Sequence, residues 1–223
     1  MFIPIGDDNT KRVSFPIVTI LLVVANVIVF FLELQRGEEF IYKYSVIAAD
    51  FTSGFPPIAN LFTSMFMHGG WAHLLGNMLY LYIFGDNVED NFGRGRFLIF
   101  YLLCGLAATV AQIAVNVHST VPSLGASGAI SGVLAGYLVL FPKNRVRVLM
   151  GYFVMHVSAW FVLGLWIVTQ MISGYADLFR TAASDQGGIA YMAHIGGFFA
   201  GVILTFILRR REATLGLQER FRK

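Results

Sequence analysis

Polar and apolar positions along this chain fall into long blocks rather than a short repeat. Phe15 to Leu32, Phe97 to Phe141 and Ile189 to Leu208 contain no Asp, Glu, Lys or Arg. A helix needs about 20 apolar residues to cross a hydrocarbon layer of roughly 30 Å, so blocks of this kind predict membrane spans. Six spans are expected, at about 15–34, 71–88, 97–117, 126–141, 150–173 and 189–208, forming an all-α bundle in a single domain over residues 1–223. The fourth is short: at about 1.5 Å per residue, Ala126 to Phe141 reaches only about 24 Å. Its far end meets the polar turn at Pro142, so its near end should lie below the opposite surface. His118 to Leu124 would then dip into the layer as irregular backbone, which is tolerated only where protein buries it or water reaches it. Gln35 to Gly70, the longest non-spanning segment, mixes charges with Phe51, Phe55, Phe62 and Phe66, as an interfacial loop would. Gly174 to Gly188 is polar and bounded by glycines, which suits a mobile cover.

Composition agrees with the pattern. The chain is 57% hydrophobic and 13% charged, against roughly 25% charged for a soluble domain. With the N-terminus cytoplasmic, only Arg36, Lys43 and Arg180 of the 16 basic residues fall outside. The positive-inside rule therefore favours both termini in the cytoplasm. That asymmetry, facing anionic lipid, accounts for the pI near 9.1 without any nucleic-acid partner. Asp7 and Asp8 precede the basic pair Lys11 and Arg12, and no small-residue cleavage site follows the first span, so a cleaved signal peptide is not expected. Cys104 is the only cysteine; its mid-span position suits an inert apolar residue.

Candidate chemistry lies inside the spans, where polar and ionisable side chains are costly and by default functional. Ser127, in Gly125-Ala126-Ser127-Gly128, opens the fourth span at its submerged end. His194 lies a little over one helical turn into the sixth, at a similar depth. Gly128, Gly132 and Gly136 in one span and Ala193, Gly197 and Gly201 in the other form small-residue faces that let backbones approach closely in lipid. An imidazole beside a serine hydroxyl can take its proton during attack on a carbonyl. No carboxylate sits at that depth, so a Ser-His dyad is expected rather than a triad, with His194 oriented by packing or by a neutral partner. Ser131, one turn beyond Ser127, is a candidate for that partner, or else bonds a carbonyl of its own helix. His73 and Asn77, spaced i, i+4, share a helix face and could supply oxyanion donors, or simply act as polar glue between helices. His68 is read as an anchor for the outer loop, and His156 as a satisfied histidine within the fifth span. No zinc site is expected, because the histidine spacing is not His-Glu-x-x-His and no acid or cysteine lies nearby. No cofactor is expected.

His68-Gly-Gly-Trp-Ala-His73-Leu-Leu-Gly-Asn77, Gly125-Ala-Ser127-Gly128 and Ala193-His194-Ile-Gly-Gly197 resemble, in order and spacing, the rhomboid intramembrane serine proteases. The resemblance covers nearly the whole chain. It implies Ser127 as nucleophile, His194 as general base and His73 with Asn77 lining an oxyanion hole. It also implies cleavage of single-span membrane proteins near the outer face, without metal or ATP. Two features depart from the family. Where many members carry an aromatic four residues after the nucleophile, stacked on the histidine, this chain has Ser131; and the Trp-Arg pair some members have in the first loop is absent. A non-proteolytic rhomboid-like protein that binds membrane clients would have lost Ser127 or His194. A transporter would call for repeated halves and an intramembrane acid, and neither is evident. The small size points to a prokaryotic plasma membrane.

Overall fold

The computed structural model describes residues 2–10, 12–52, 57–177 and 189–209. In chain order the elements are β1 (Phe2–Asp7), α1 (Ile17–Arg36), α2 (Glu38–Tyr44), α3 (Asn60–Thr63), α4 (Trp71–Phe92), α5 (Arg94–Val115), α6 (Ser127–Leu140), β2 (Arg145–Met150), β3 (Phe153–Ser158), α7 (Ala159–Asp177) and α8 (Tyr191–Leu208). Among the described residues, four helices, α1, α5, α7 and α8, are long and apolar enough to cross a membrane. α6 is apolar but short, and α4 carries Asp86, Glu89 and Asp90 in its last turns.

α6 is the axis of the bundle. Every residue from Gly128 to Tyr137 is buried, and α4, α5, α7 and α8 pack around it. The peripheral helices are apolar on every face yet bury only a stripe. In α1 the stripe is Thr19, Leu22, Asn26, Phe30 and Glu33, at helical spacing, while Leu21, Val24, Ile28 and Phe31 point outwards. In water such faces would collapse or aggregate; in lipid they are the solvent-facing surface. This is an integral membrane protein.

α1 starts after Pro16, and its first turn is satisfied from α4. The Glu89 carboxylate accepts the Val18 and Thr19 N–H groups at 3.0 and 2.7 Å and the Thr19 hydroxyl at 2.8 Å. A carboxylate there completes otherwise orphaned donors and complements the helix dipole.

The largest departure from expectation concerns the span placed at 150–173. Residues 145–158 form a hairpin instead, and the helix begins only at Ala159. Arg145-Val146-Arg147-Val148 alternates with period two, burying Val146 and Val148 while the arginines stay exposed. Gly151, at φ 63°, makes the turn, and β1 adds to the other edge to give the order β1-β2-β3. His156 is therefore an exposed residue of β3, not a bundle histidine. The polar segment Gly174–Gly188 is helical as far as Asp177; the rest of it lies outside the described residues.

The sheet is fastened to the bundle by polar contacts. The Tyr137 hydroxyl and the Asn87 amide donate to Asp7 Oδ2 at 2.6 and 2.8 Å, and Arg12 pairs with Asp86 at 2.5 Å. Asp7 is thus held by the same helix that carries Ser127 at its other end.

Candidate active site

Ser127 is the first residue of α6. The backbone leading to it is irregular, and its polar groups are satisfied by the long loop before α4. Val46 and Ser123 exchange backbone bonds at 3.0 and 2.7 Å, Ala49 N–H reaches Ser119 O at 3.0 Å, and Gly125 N–H reaches Ser64 O at 2.9 Å. Non-helical backbone beside membrane helices requires that kind of pairing. Gly125 has φ +134°, and a Cβ there would stand 2.8 Å from the His73 ring. Both the dihedral and the space call for glycine.

His194 lies in the first turn of α8, where the neighbouring Ala193 N–H is held by Gln112 Oε1 of α5 at 3.2 Å. Its Nε2 is 2.8 Å from Ser127 Oγ, and its Nδ1 is 2.7 Å from Gln170 Oε1 of α7. Trp166, one turn before Gln170, places its ring 5.8 Å from the imidazole at 36°. The approach of α8 to α6 rests on glycines. A Cβ on Gly201 would fall 2.5 Å from Gly132 O and 2.6 Å from its Cα, and one on Gly197 would collide with the Gly128 carbonyl. Hence the backbones touch directly, as a side chain as short as serine requires in order to reach the histidine.

The second pair of candidates is arranged differently. His73 lies against the Gly125 backbone, with its Nδ1 accepting the Gly69 N–H at 3.4 Å. Asn77 Nδ2 is 3.0 Å from His68 Nε2. His68 is 2% exposed, and its N–H meets both oxygens of the Glu33 carboxylate at 3.1 Å. Burial holds its imidazole neutral, pushing its pKa down to about 4, with His73 adding to the effect. With Nε2 as acceptor for Asn77, one hydrogen of the Asn77 amide is left over. A cavity of about 30 Å³ adjoins Ser127, lined by Ser64, Leu124, Gly125, Gly128 and Ala193 among others. That is room for water but not for a peptide.

Ser131 makes no hydrogen bond to the imidazole. Its hydroxyl donates to Ser127 O at 2.7 Å, within its own helix, and His194 turns to α7 instead. Gln170, Trp166 and Gln112 were missed from sequence. The available signal was an amide in an otherwise apolar helix, costly there unless hydrogen-bonded.

The arrangement can transfer a proton from a serine hydroxyl to an imidazole of fixed orientation. A profile of the Rhomboid domain matches residues 57–211. Rhomboid-like protein 11, chloroplastic, of Arabidopsis thaliana is 27% identical over 180 residues, 78% of this chain and 58% of that protein. Rhomboid protease GluP of Bacillus subtilis is 35% identical over 141 residues, 63% of this chain but 24% of that protein. The putative rhomboid protease YdcA of Bacillus subtilis is 25% identical over 214 residues, 95% of this chain and 98% of that protein. The chain thus spans less than two thirds of the first two relatives and nearly all of the third.

Proposed function

The chain belongs to the rhomboid family, and on that premise we propose that it is an intramembrane serine endopeptidase acting through a Ser127–His194 dyad. The observation that carries this reading is the 2.8 Å contact between His194 Nε2 and Ser127 Oγ. Imidazole removes the hydroxyl proton as Oγ attacks the scissile carbonyl. The oxyanion is received by the Ser127 N–H, the free Asn77 amide hydrogen and the His73 ring. The protonated imidazole then gives its proton to the leaving amine, and water repeats the sequence on the acyl-enzyme.

The single domain spans residues 1–223 and crosses the membrane six times, with α4 and α6 added to the four long apolar helices. α6 can be short because protein encloses it and its N-terminus opens beneath the surface. Both termini face the cytoplasm, in keeping with the distribution of Lys and Arg. The substrates are single-span membrane proteins, cut near the outer face after lateral access to Ser127, and the host membrane is a prokaryotic plasma membrane. The test is cleavage of a co-reconstituted single-span substrate. Ser127→Ala and His194→Ala should each abolish it while the protein stays folded; wild-type turnover in either variant would overturn the dyad, and binding without cleavage by the wild-type protein would favour a client-binding role.

A further inference from the structure

An imidazole acts as a base for serine only when Nε2 carries the lone pair, and a neutral ring has one lone pair and one N–H. In this chain the partner of the other nitrogen comes from α7. That helix turns Leu165, Val168, Met171, Ile172 and Tyr175 outwards. Gln170 lies between these outward residues, partly buried on the inner face. A carbonyl oxygen only accepts, so Oε1 at 2.7 Å from Nδ1 requires the hydrogen on Nδ1 and leaves the Nε2 lone pair facing Ser127 Oγ at 2.8 Å. Thr169, the adjacent polar residue, returns its hydroxyl to Trp166 O at 2.6 Å and is not available to the histidine. Trp166 limits rotation of the imidazole from its face, while Gln170 fixes it along its edge.

We propose that Gln170 is the positioning residue of His194, holding the imidazole in the Nδ1–H tautomer and in line with Ser127, with Trp166 setting the ring plane. It fills the place that Ser131 leaves open. The role rests on the reading of Ser127 and His194 as a dyad, because a tautomer matters only to an imidazole that serves as base. It also ties the dyad to α7: any displacement of that helix lengthens the Gln170 contact and releases the ring.

Two readouts on the reconstituted full chain separate this proposal from the dyad itself. The first is the ring-¹⁵N spectrum of His194, assigned by its loss in His194→Gln. Wild type should show a single Nδ1–H tautomer, Gln170→Leu a mixture, and Gln170→Glu, which keeps an acceptor oxygen, the wild-type pattern. The second is the rate of Ser127 modification by a fluorophosphonate together with kcat and KM on a single-span substrate. Gln170→Leu should lower the labelling rate and kcat on the order of 10- to 100-fold, by analogy with the loss of partners that orient metal-ligating histidines, with KM little changed. Gln170→Asn withdraws the oxygen by one methylene while keeping the amide, so it should behave like Leu even if the apolar variant folds poorly. Gln170→Glu should rescue activity to within a few-fold. An unchanged tautomer in Gln170→Leu, or wild-type kcat in both Leu and Asn variants, would overturn the proposal. If wild type itself is not labelled at Ser127, the dyad reading fails, and the spectra alone decide whether Gln170 holds the ring.

Discussion

Gly197→Ala tests whether helix packing delivers the chemistry. The added methyl group would overlap the Gly128 carbonyl oxygen, stand 2.9 Å from that carbonyl carbon and lie 3.3 Å from the Ala108 side chain. The first two are backbone atoms and cannot rotate away, so relief requires α8 to retreat from α6 by about 1 Å in an interior packed at crystal density. His194 is one turn from Gly197 and would move with it. The 2.8 Å contact to Ser127 Oγ would lengthen to about 3.8 Å, beyond hydrogen-bond reach. Loss of general-base assistance costs roughly 10²- to 10⁴-fold, whereas overpacking of this kind destabilises by about 1–3 kcal/mol. At about 1.4 kcal/mol per tenfold the first is roughly 2.7–5.5 kcal/mol, so transition-state stabilisation should fall by more than fold stability. The assay is kcat on a reconstituted single-span substrate, alongside the melting temperature by circular dichroism. Gly164→Ala is the control: a Cβ there meets nothing within 4 Å, and kcat should be unchanged. A Gly197→Ala protein within a few-fold of wild-type kcat would refute the argument that glycine contact sets the dyad distance.

Asn77→Ala should lower kcat by about 10- to 1,000-fold with a smaller change in KM, as expected for one oxyanion donor; an unchanged kcat would make Asn77 only the partner of His68. A further prediction concerns pH. Burial pushes the Asp7 carboxyl from 3.8 up to about 6, with Asp86 and Asp8 contributing and the Tyr137 hydrogen bond and Arg12 opposing. The folded protein therefore binds this proton more tightly than the unfolded chain. The associated stability is complete below pH 3.8 and is lost as pH rises through about 6. Melting temperature should decline across that window, and Asp7→Asn should flatten the decline; parallel profiles for the two proteins would count against it.

Much of the bundle could be read from hydrophobic blocks, because lipid imposes a minimum length on every exposed helix. The blocks failed at residues 150–158, where β-branched and aromatic residues begin the apolar run as a strand that pairs with the period-two stretch from Arg145 to Val148. Length alone could not separate a strand pair from the start of a span. In the candidate site, Ser127 and His194 are brought together by glycine faces that recur every four residues, a local pattern visible in the chain. The partner of Nδ1 was not visible. Ser131 is one turn from Ser127 in sequence, but its hydroxyl is consumed by the carbonyl four residues back, the common fate of serine in an apolar helix. Gln170 belongs to a different helix, and nothing in its neighbourhood marks which way it faces. The same holds for Glu33, whose contact with the His68 N–H joins α1 to the loop ahead of α4.

If Ser127 is a nucleophile activated by His194, it should react with a serine-directed electrophile. Treating the reconstituted protein with a fluorophosphonate and locating the adduct by mass spectrometry tests this without knowledge of the natural substrate. A nucleophilic Ser127 should give a single adduct on that residue, none in Ser127→Ala, and a labelling rate reduced by at least about 100-fold in His194→Ala. No adduct on the folded wild-type protein, an adduct on another residue, or wild-type labelling in His194→Ala would contradict that role.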